Sequence, residues 1–188
     1  MFFYLHGFRS SPQSFKARLL QDYFHSIGKA YKFLCPQLPV SPKEAMQLAR
    51  SLCLNMPSHE LVLVGSSLGG YYATALAEEF GCRAVVLNPA ITPAADLQKY
   101  IGMQTTWHTD EAFHFRPEYV DQLKPYEIEK ITQPERYFLV AATGDEVLDW
   151  RMMVNHYPGA RHKIIQGSDH GLSDFGNYMD EIIEFCAH

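Results

Sequence analysis

The feature that most constrains this chain is a strand, a glycine-rich turn and a helix that follow one another between residues 61 and 80. The apolar run at 61–64 predicts a buried strand, and the apolar spacing from Tyr72 to Phe80 predicts a helix. Between them, Gly65, Ser67 and Gly69 form a G-x-S-x-G motif. This is the context of a nucleophile elbow, where a serine stands on a strained turn between residues with almost no side chain. A glycine-rich turn that only lets a helix pack closely on a sheet is the alternative.

The register of the motif selects Ser67 over Ser66, because only Ser67 has a glycine two residues away on both sides. The turn does not fit a phosphate loop, since no Lys-Ser/Thr pair follows it. It also lacks the G-x-G-x-x-G spacing of a dinucleotide-binding turn. The helix after Ser67 would direct unpaired N–H groups at negative charge that forms beside the serine.

Five further apolar runs alternate with helical patterns along the chain. The six predicted strands are 2–5, 31–35, 61–64, 83–88, 137–142 and 163–165. Their continuous apolar character indicates a mainly parallel sheet covered by helices on both faces, an α/β fold. Ser11-Pro12 and Ser41-Pro42 are typical helix starts, the second with Glu44 completing a capping box. No repeat or linker interrupts the pattern, so we expect one domain over residues 1–188.

Residues from about 91 to 134 lose clear periodicity and contain four prolines and many aromatic residues. A loop of this length in a compact domain is usually functional or contains helices of its own. We interpret the segment as a cap inserted over a cleft, and a surface excursion without a role as the alternative.

A serine nucleophile needs a base, and in an open α/β sheet functional groups collect at the carboxyl ends of the strands. His170 follows the sixth strand directly, on the same edge as Ser67, and is the predicted base. His6 also follows a strand, but it precedes a glycine turn in which the backbone is the expected participant. The other histidines lack a comparable position: His25, His59, His108, His114, His156, His162 and His188.

The base in turn needs a carboxylate to fix its tautomer. Asp145 lies at the carboxyl end of the fifth strand and is favoured, although it could instead cap the next helix. Glu146 and Asp149 are nearby competitors, with Asp149 expected inside that helix. Asp169 adjoins the histidine in sequence, where the geometry for this hydrogen bond is poor.

The chain order Ser67, Asp145, His170 is the order of the α/β-hydrolases. In that fold two backbone N–H groups hold the oxyanion, one from the residue after the nucleophile and one from the turn after an early strand. Here these are Leu68 and Phe8, with Gly7 allowing close approach.

Several motifs in this order resemble the YqiA-like esterases of bacteria, which are small α/β-hydrolases. The motifs are LHGF at 5–8, SSP at 10–12, PQLP at 36–39, GSSLGGYYAT at 65–74, NPA at 88–90 and TGDEVLD at 143–149. The resemblance spans nearly the whole chain and is weakest from about 95 to 134. It implies a minimal α/β-hydrolase fold without the first two strands of the full fold. It also implies hydrolysis of carboxylic esters with short acyl chains by Ser67, Asp145 and His170.

Composition and charge limit the kinds of partner that we expect this protein to bind. The net charge of -5 gives no electrostatic footprint for nucleic acid or an anionic membrane. The first residues do not form a signal peptide, no apolar run is long enough to span a membrane, and the cytoplasm is the expected location. Four scattered cysteines, without C-x-x-C, indicate reduced buried thiols. No H-E-x-x-H is present, and His108 and His114 are too loosely spaced for a metal site, so no metal or cofactor is expected.

The sequence is therefore compatible with two functions. The first is a serine esterase, or a thioesterase of the same class, acting on a small-molecule substrate through an acyl-enzyme. The second is a catalytically silent protein of the same fold that binds a small acyl ligand, because a fold does not fix a function. The sequence leaves the physiological substrate and the oligomeric state open.

Overall fold

The computed structural model describes residues 1–107 and 109–187. Its centre is a sheet of six parallel strands in the order β2-β1-β3-β4-β7-β8, and β5 and β6 form a separate antiparallel hairpin. The strands are β1 (Phe2–Leu5), β2 (Phe33–Leu34), β3 (Val62–Ser66), β4 (Arg83–Leu87), β5 (Gly102–Thr105), β6 (Ala112–Phe115), β7 (Tyr137–Ala142) and β8 (Arg161–Ile165).

Helices cover both faces of this sheet. They are α1 (Phe15–Ser26), α2 (Pro42–Cys53), α3 (Leu68–Phe80), α4 (Pro93–Leu97), α5 (Pro117–Leu123), α6 (Trp150–His156) and α7 (Met179–Ala187). One core contains residues of α2, α3 and α6, and the opposite core contains residues of α1 and α7. Successive strand residues such as Phe2 and Phe3 point into different cores, which is why the strands are apolar on both faces. Across the described residues, every helix is too short or too polar to span a lipid bilayer.

All six predicted strands are present and parallel, so the prediction of a parallel sheet covered on both faces is confirmed. The second strand is shorter than predicted, because residues 30–32 form a 3₁₀ turn and leave only two residues paired with β1. The cysteines are free thiols, three of them buried and Cys35 partly buried.

The predicted start of the first helix is wrong. Ser11 does not cap it: Ser11 Oγ accepts from Gln13 N, and Ser14 N donates to Ser11 O, so residues 11–14 form a separate turn. The helix begins at Phe15. At the second helix the predicted start is confirmed: Ser41 is the N-cap, Pro42 is the first residue, and Ser41 Oγ accepts from Glu44 N at 3.4 Å.

The segment from 91 to 134 holds α4, the β5–β6 hairpin and α5, so it does contain helices of its own. Its base is anchored in the core through Leu97, Phe115, Leu123 and Ile131, all buried. The hairpin is exposed at Met103 in β5 and, at its tip, at Trp107. Burial at one end and exposure at the other attach the segment to the sheet while leaving its tip beside solvent.

Candidate active site

Ser67 stands between β3 and α3 in a backbone conformation that L-residues rarely adopt, with φ 55° and ψ −121°. The flanking glycines are sterically required. A Cβ on Gly65 would lie 2.2 Å from the carbonyl oxygen of Gly69, and a Cβ on Gly69 would lie 1.9 Å from that of Leu5. Ser67 N donates to Leu87 O at 3.0 Å, which ties the turn to β4. The strained turn therefore persists because its surroundings hold it.

The structure brings Ser67, His170 and Asp145 into one chain of hydrogen bonds. Ser67 Oγ lies 3.0 Å from His170 Nε2, and His170 Nδ1 lies 2.7 Å from Asp145 Oδ2. Because the carboxylate accepts, Nδ1 carries the proton and Nε2 is left to accept from the serine hydroxyl. Residues 103 positions apart thus meet at the carboxyl edge of the sheet.

The carboxylate of Asp145 is fully buried and held by the backbone that follows it. Asp145 Oδ1 accepts from Val147 N and Leu148 N, each at 2.8 Å, so Oδ2 remains to face the imidazole. Asp149, which we expected inside the helix, is its N-cap and accepts from Arg151 N.

The other two acidic candidates do not face the imidazole. Glu146 Oε2 accepts from the backbone N–H of His170 at 2.9 Å, and so supports the loop rather than the ring. Asp169 Oδ1 accepts from Ser173 N at 2.8 Å, and this backbone hydrogen bond lowers the pKa of Asp169. Among the acidic candidates considered from the sequence, Asp145 is the one bonded to the histidine ring.

Asn88, which sequence reasoning noted only within a motif, ties these elements together. It is fully buried with φ 41°, and its amide donates to Asp169 O and His170 O, both at 3.1 Å. Its Oδ1 accepts from Ala142 N at 2.8 Å. One side chain at the end of β4 therefore links the histidine loop to the end of β7. The only signal in the sequence was a polar residue that ends an apolar strand before a proline.

The turn after β1 lies directly against the serine. A Cβ on Gly7 would be 3.2 Å from Ser67 Cβ, so glycine permits this approach. Phe8 and Leu68 both line the cleft beside Ser67, which is where the two predicted oxyanion donors are needed. His6 supports the turn, because its Nε2 accepts from Leu38 N at 3.0 Å.

Two clefts meet at Ser67, and both are lined by Phe8, Ser67, Trp107 and His170. The first cleft, about 660 Å³, is walled largely by apolar side chains: Leu68, Ala90, Pro93, Leu97, Tyr100, Val147 and Leu148. Arg9, Lys99 and Asp96 also line it, and burial raises the pKa of the Asp96 carboxyl. The second cleft, about 740 Å³, also has a largely apolar surface, and its lining includes Phe15 and the polar residues Tyr4, Ser10, Ser14, Lys16 and Ser66.

The histidines set aside from the sequence do not join the hydrogen-bond chain of Ser67, as far as the structure describes them. His108 and His188 lie outside the described residues. Within residues 1–107 and 109–187, no group of three or more His, Cys, Asp or Glu side chains is arranged to hold a metal ion.

Solved structures share this architecture at low sequence identity. A protein from Agrobacterium vitis is 17% identical, with a TM-score of 0.74 over 98% of this chain and 87% of its own. Alpha/beta hydrolase domain-containing protein 10 from mouse is 16% identical, with a TM-score of 0.70 over 97% of this chain and 89% of its own. A monoacylglycerol lipase from Paleococcus ferrophilus is 16% identical, with a TM-score of 0.68 over 100% and 94%. The chain therefore has the α/β-hydrolase fold.

At the level of sequence, the pattern of UPF0227, described as an uncharacterised protein family, matches residues 1–187. This confirms the resemblance that the motifs suggested, and the chain belongs to UPF0227, the YqiA-like family.

Proposed function

We propose that this protein is a serine hydrolase that cleaves carboxylic esters through an acyl-enzyme on Ser67. The observation that carries the proposal is the continuous hydrogen-bond chain from Ser67 Oγ through the His170 ring to Asp145. An unactivated serine hydroxyl is a poor nucleophile, and this arrangement supplies both the base and the group that orients it. A protein that only bound an acyl ligand would gain nothing from a strained serine aligned with a base.

In the proposed reaction, His170 Nε2 takes the hydroxyl proton as Ser67 Oγ attacks the ester carbonyl carbon. The negative charge then moves to the carbonyl oxygen, where the N–H groups of Phe8 and Leu68 would hold it. The imidazolium gives its proton to the departing alkoxide, the C–O bond breaks, and an acyl-enzyme remains. Water then attacks the acyl carbon with His170 as base, and release of the acid returns the proton to Ser67.

The buried carboxylate of Asp145 stabilises the imidazolium in both halves of this cycle. Because Asp145 Oδ1 already accepts two backbone N–H groups, the carboxylate cannot turn away from the ring without losing them. The histidine therefore keeps one tautomer and one orientation before substrate arrives, which avoids an entropic cost at the moment of reaction.

We further propose that the first cleft takes the acyl chain and that the segment from 91 to 134 caps it. Leu97 and Tyr100, from this segment, and Val147 and Leu148, from the loop after β7, supply apolar surface beside Ser67. Such a cleft favours an apolar acyl chain, because each methylene that it covers is removed from water, and the short length of the chain is what the family resemblance implies. The shared fold of a monoacylglycerol lipase is in keeping with an ester substrate.

Replacing Ser67 with alanine tests the proposal. Turnover of para-nitrophenyl acetate and butyrate should fall by at least about 10⁴-fold, because the nucleophile is lost while the cleft remains. Ser51→Ala, at an exposed serine of α2 outside both clefts, is the control and should retain the activity. Equal turnover by the wild type and Ser67→Ala, with both folded by circular dichroism, would remove the basis for the assignment.

A further inference from the structure

A buried lysine lies in the second cleft, beside the serine. Lys16 comes from the first turn of α1, is only 7% exposed, and lines the cleft together with Ser67 and His170. Its Nζ donates to Gly171 O, one residue beyond the histidine. Among the described residues, no Asp or Glu side chain forms an ion pair with this amine.

A buried ammonium without a counter-ion is costly, and lysine is almost never fully buried unless it is paired. Burial lowers the pKa of Lys16 to about 8, although Asp169 and Asp145 act in the opposite direction. The amine is therefore still mainly protonated at neutral pH. Support of one carbonyl group does not require a cation, since a neutral donor would serve. Asp169 and Asp145 offset the charge in part without forming an ion pair with Lys16, so the amine beside the reacting serine can still attract a ligand that carries the opposite charge.

The other titratable groups near Lys16 cannot attract an anionic ligand in its place. Burial raises the pKa of Tyr4, which stays a neutral phenol. The carboxylate of Asp145 is occupied by the His170 ring and two backbone N–H groups, and that of Asp169 by Ser173 N. The hydroxyl-bearing residues Ser10, Ser14 and Ser66 line the same cleft. The cleft thus combines one buried cation and several hydroxyl groups with an otherwise largely apolar surface, and Lys16 is the group in it that can attract an anion.

The two clefts share Ser67 and His170 and differ in their other walls, so an ester that places its acyl chain in the first cleft can place its alcohol portion in the second. We propose that the second cleft binds an alcohol portion that carries a carboxylate or a phosphate, and that Lys16 is the residue that recognises this charge. This inference rests on the ester hydrolysis proposed above. It adds the chemical class of the leaving group.

Matched esters of one acid test the inference. The test compares kcat/KM for para-acetoxybenzoate and para-acetoxyphenyl phosphate with that for the neutral para-acetoxybenzamide, each corrected for its spontaneous hydrolysis. In Lys16→Met, which keeps most of the unbranched apolar side chain and removes the charge, the preference for an anionic ester should fall about tenfold or more, as expected for loss of a charge-assisted contact. Lys29→Met removes the same charge from an exposed residue outside both clefts and should leave the preference unchanged.

The neutral ester separates this inference from the proposed function. If para-acetoxybenzamide is not hydrolysed by the wild type, ester hydrolysis itself fails. If it is hydrolysed and Lys16→Met leaves both anionic preferences unchanged, the inference about Lys16 is overturned. Loss of either preference supports it, and the ester that responds more identifies carboxylate or phosphate as the favoured group.

A measurement on the wild type covers the case in which Lys16→Met does not fold. As the pH rises from about 7 to 9, Lys16 loses its proton and the preference for the anionic esters should decline, while the neutral ester reports the pH dependence of the common machinery. A preference that stays constant across this range contradicts the proposed role.

Discussion

The edge of the sheet that carries Ser67 and the tip of the β5–β6 hairpin line the same clefts, yet they are held in different ways. At the sheet edge, side chains are buried and each has several hydrogen-bond partners, as Asn88 and Asp145 illustrate. At the hairpin tip, Trp107 is 64% exposed. It is tied mainly through Arg9, whose guanidinium lies 4.0 Å above the indole ring and whose carbonyl accepts from Trp107 N.

This difference suggests that the sheet edge and the hairpin tip have different roles. Groups that must meet within a few tenths of an ångström are placed on buried strand ends, where displacement would break several contacts at once. Groups that contact the variable part of a substrate sit on a segment whose base is buried and whose tip is exposed. Changes at the sheet edge should therefore affect turnover, and changes at the hairpin tip should affect substrate selection.

Asp145→Asn should produce the largest effect of the substitutions at the sheet edge apart from loss of the serine itself. An amide beside His170 Nδ1 favours the wrong tautomer, so kcat should fall by about 10⁴-fold with a small change in KM. Steady-state kinetics on a para-nitrophenyl ester measures this. Glu146→Gln is the control, since Glu146 contacts only the backbone of His170. Equal losses in both variants would contradict the assignment of Asp145.

Asn88→Ala should have an intermediate effect. It removes the support of two loop carbonyls and leaves Ala142 N without its acceptor, which should lower the free energy of unfolding by about 2–4 kcal/mol. A small displacement of His170 should then reduce kcat by about 10- to 100-fold. Urea denaturation and kinetics below the unfolding transition measure both quantities.

The exposed Asn55 provides the control for Asn88, and Asn55→Ala should change neither quantity. A destabilised Asn88→Ala enzyme with full kcat would show that this residue supports the fold without positioning the base.

Trp107→Ala should have the smallest effect. The side chain is mostly exposed, so stability should change by less than about 0.5 kcal/mol. Because Trp107 lines both clefts, KM should rise severalfold while kcat stays nearly constant. Met103→Ala, on the same hairpin but outside both clefts, should change neither constant. A large loss of kcat in Trp107→Ala would contradict the proposal that the hairpin tip affects substrate selection rather than turnover.

The same contrast explains which features the sequence could predict. Apolar runs at strand period and the glycines around Ser67 reflect local and strongly constrained packing, so the six strands and the turn were predictable. The segment from 91 to 134 was not, because its strands have four residues each and its α-helices no more than seven, which is too short for a clear period.

The choice among the acidic candidates also needed coordinates. Asp145, Glu146, Asp149 and Asp169 all lie near strand ends, and only distances show which one reaches the imidazole. The roles of Asn88 and Lys16 depend on contacts with a loop more than eighty residues further along the chain, and neither residue type predicts such a contact by itself.

The central claim is that Ser67 is activated by His170, and covalent labelling tests it most directly. The wild type is incubated with a fluorophosphonate, and the modified residue is located by mass spectrometry. We expect a single adduct on Ser67, formed much more slowly in His170→Ala and Asp145→Asn. No adduct on Ser67, or labelling at the same rate in the wild type and His170→Ala, would contradict it.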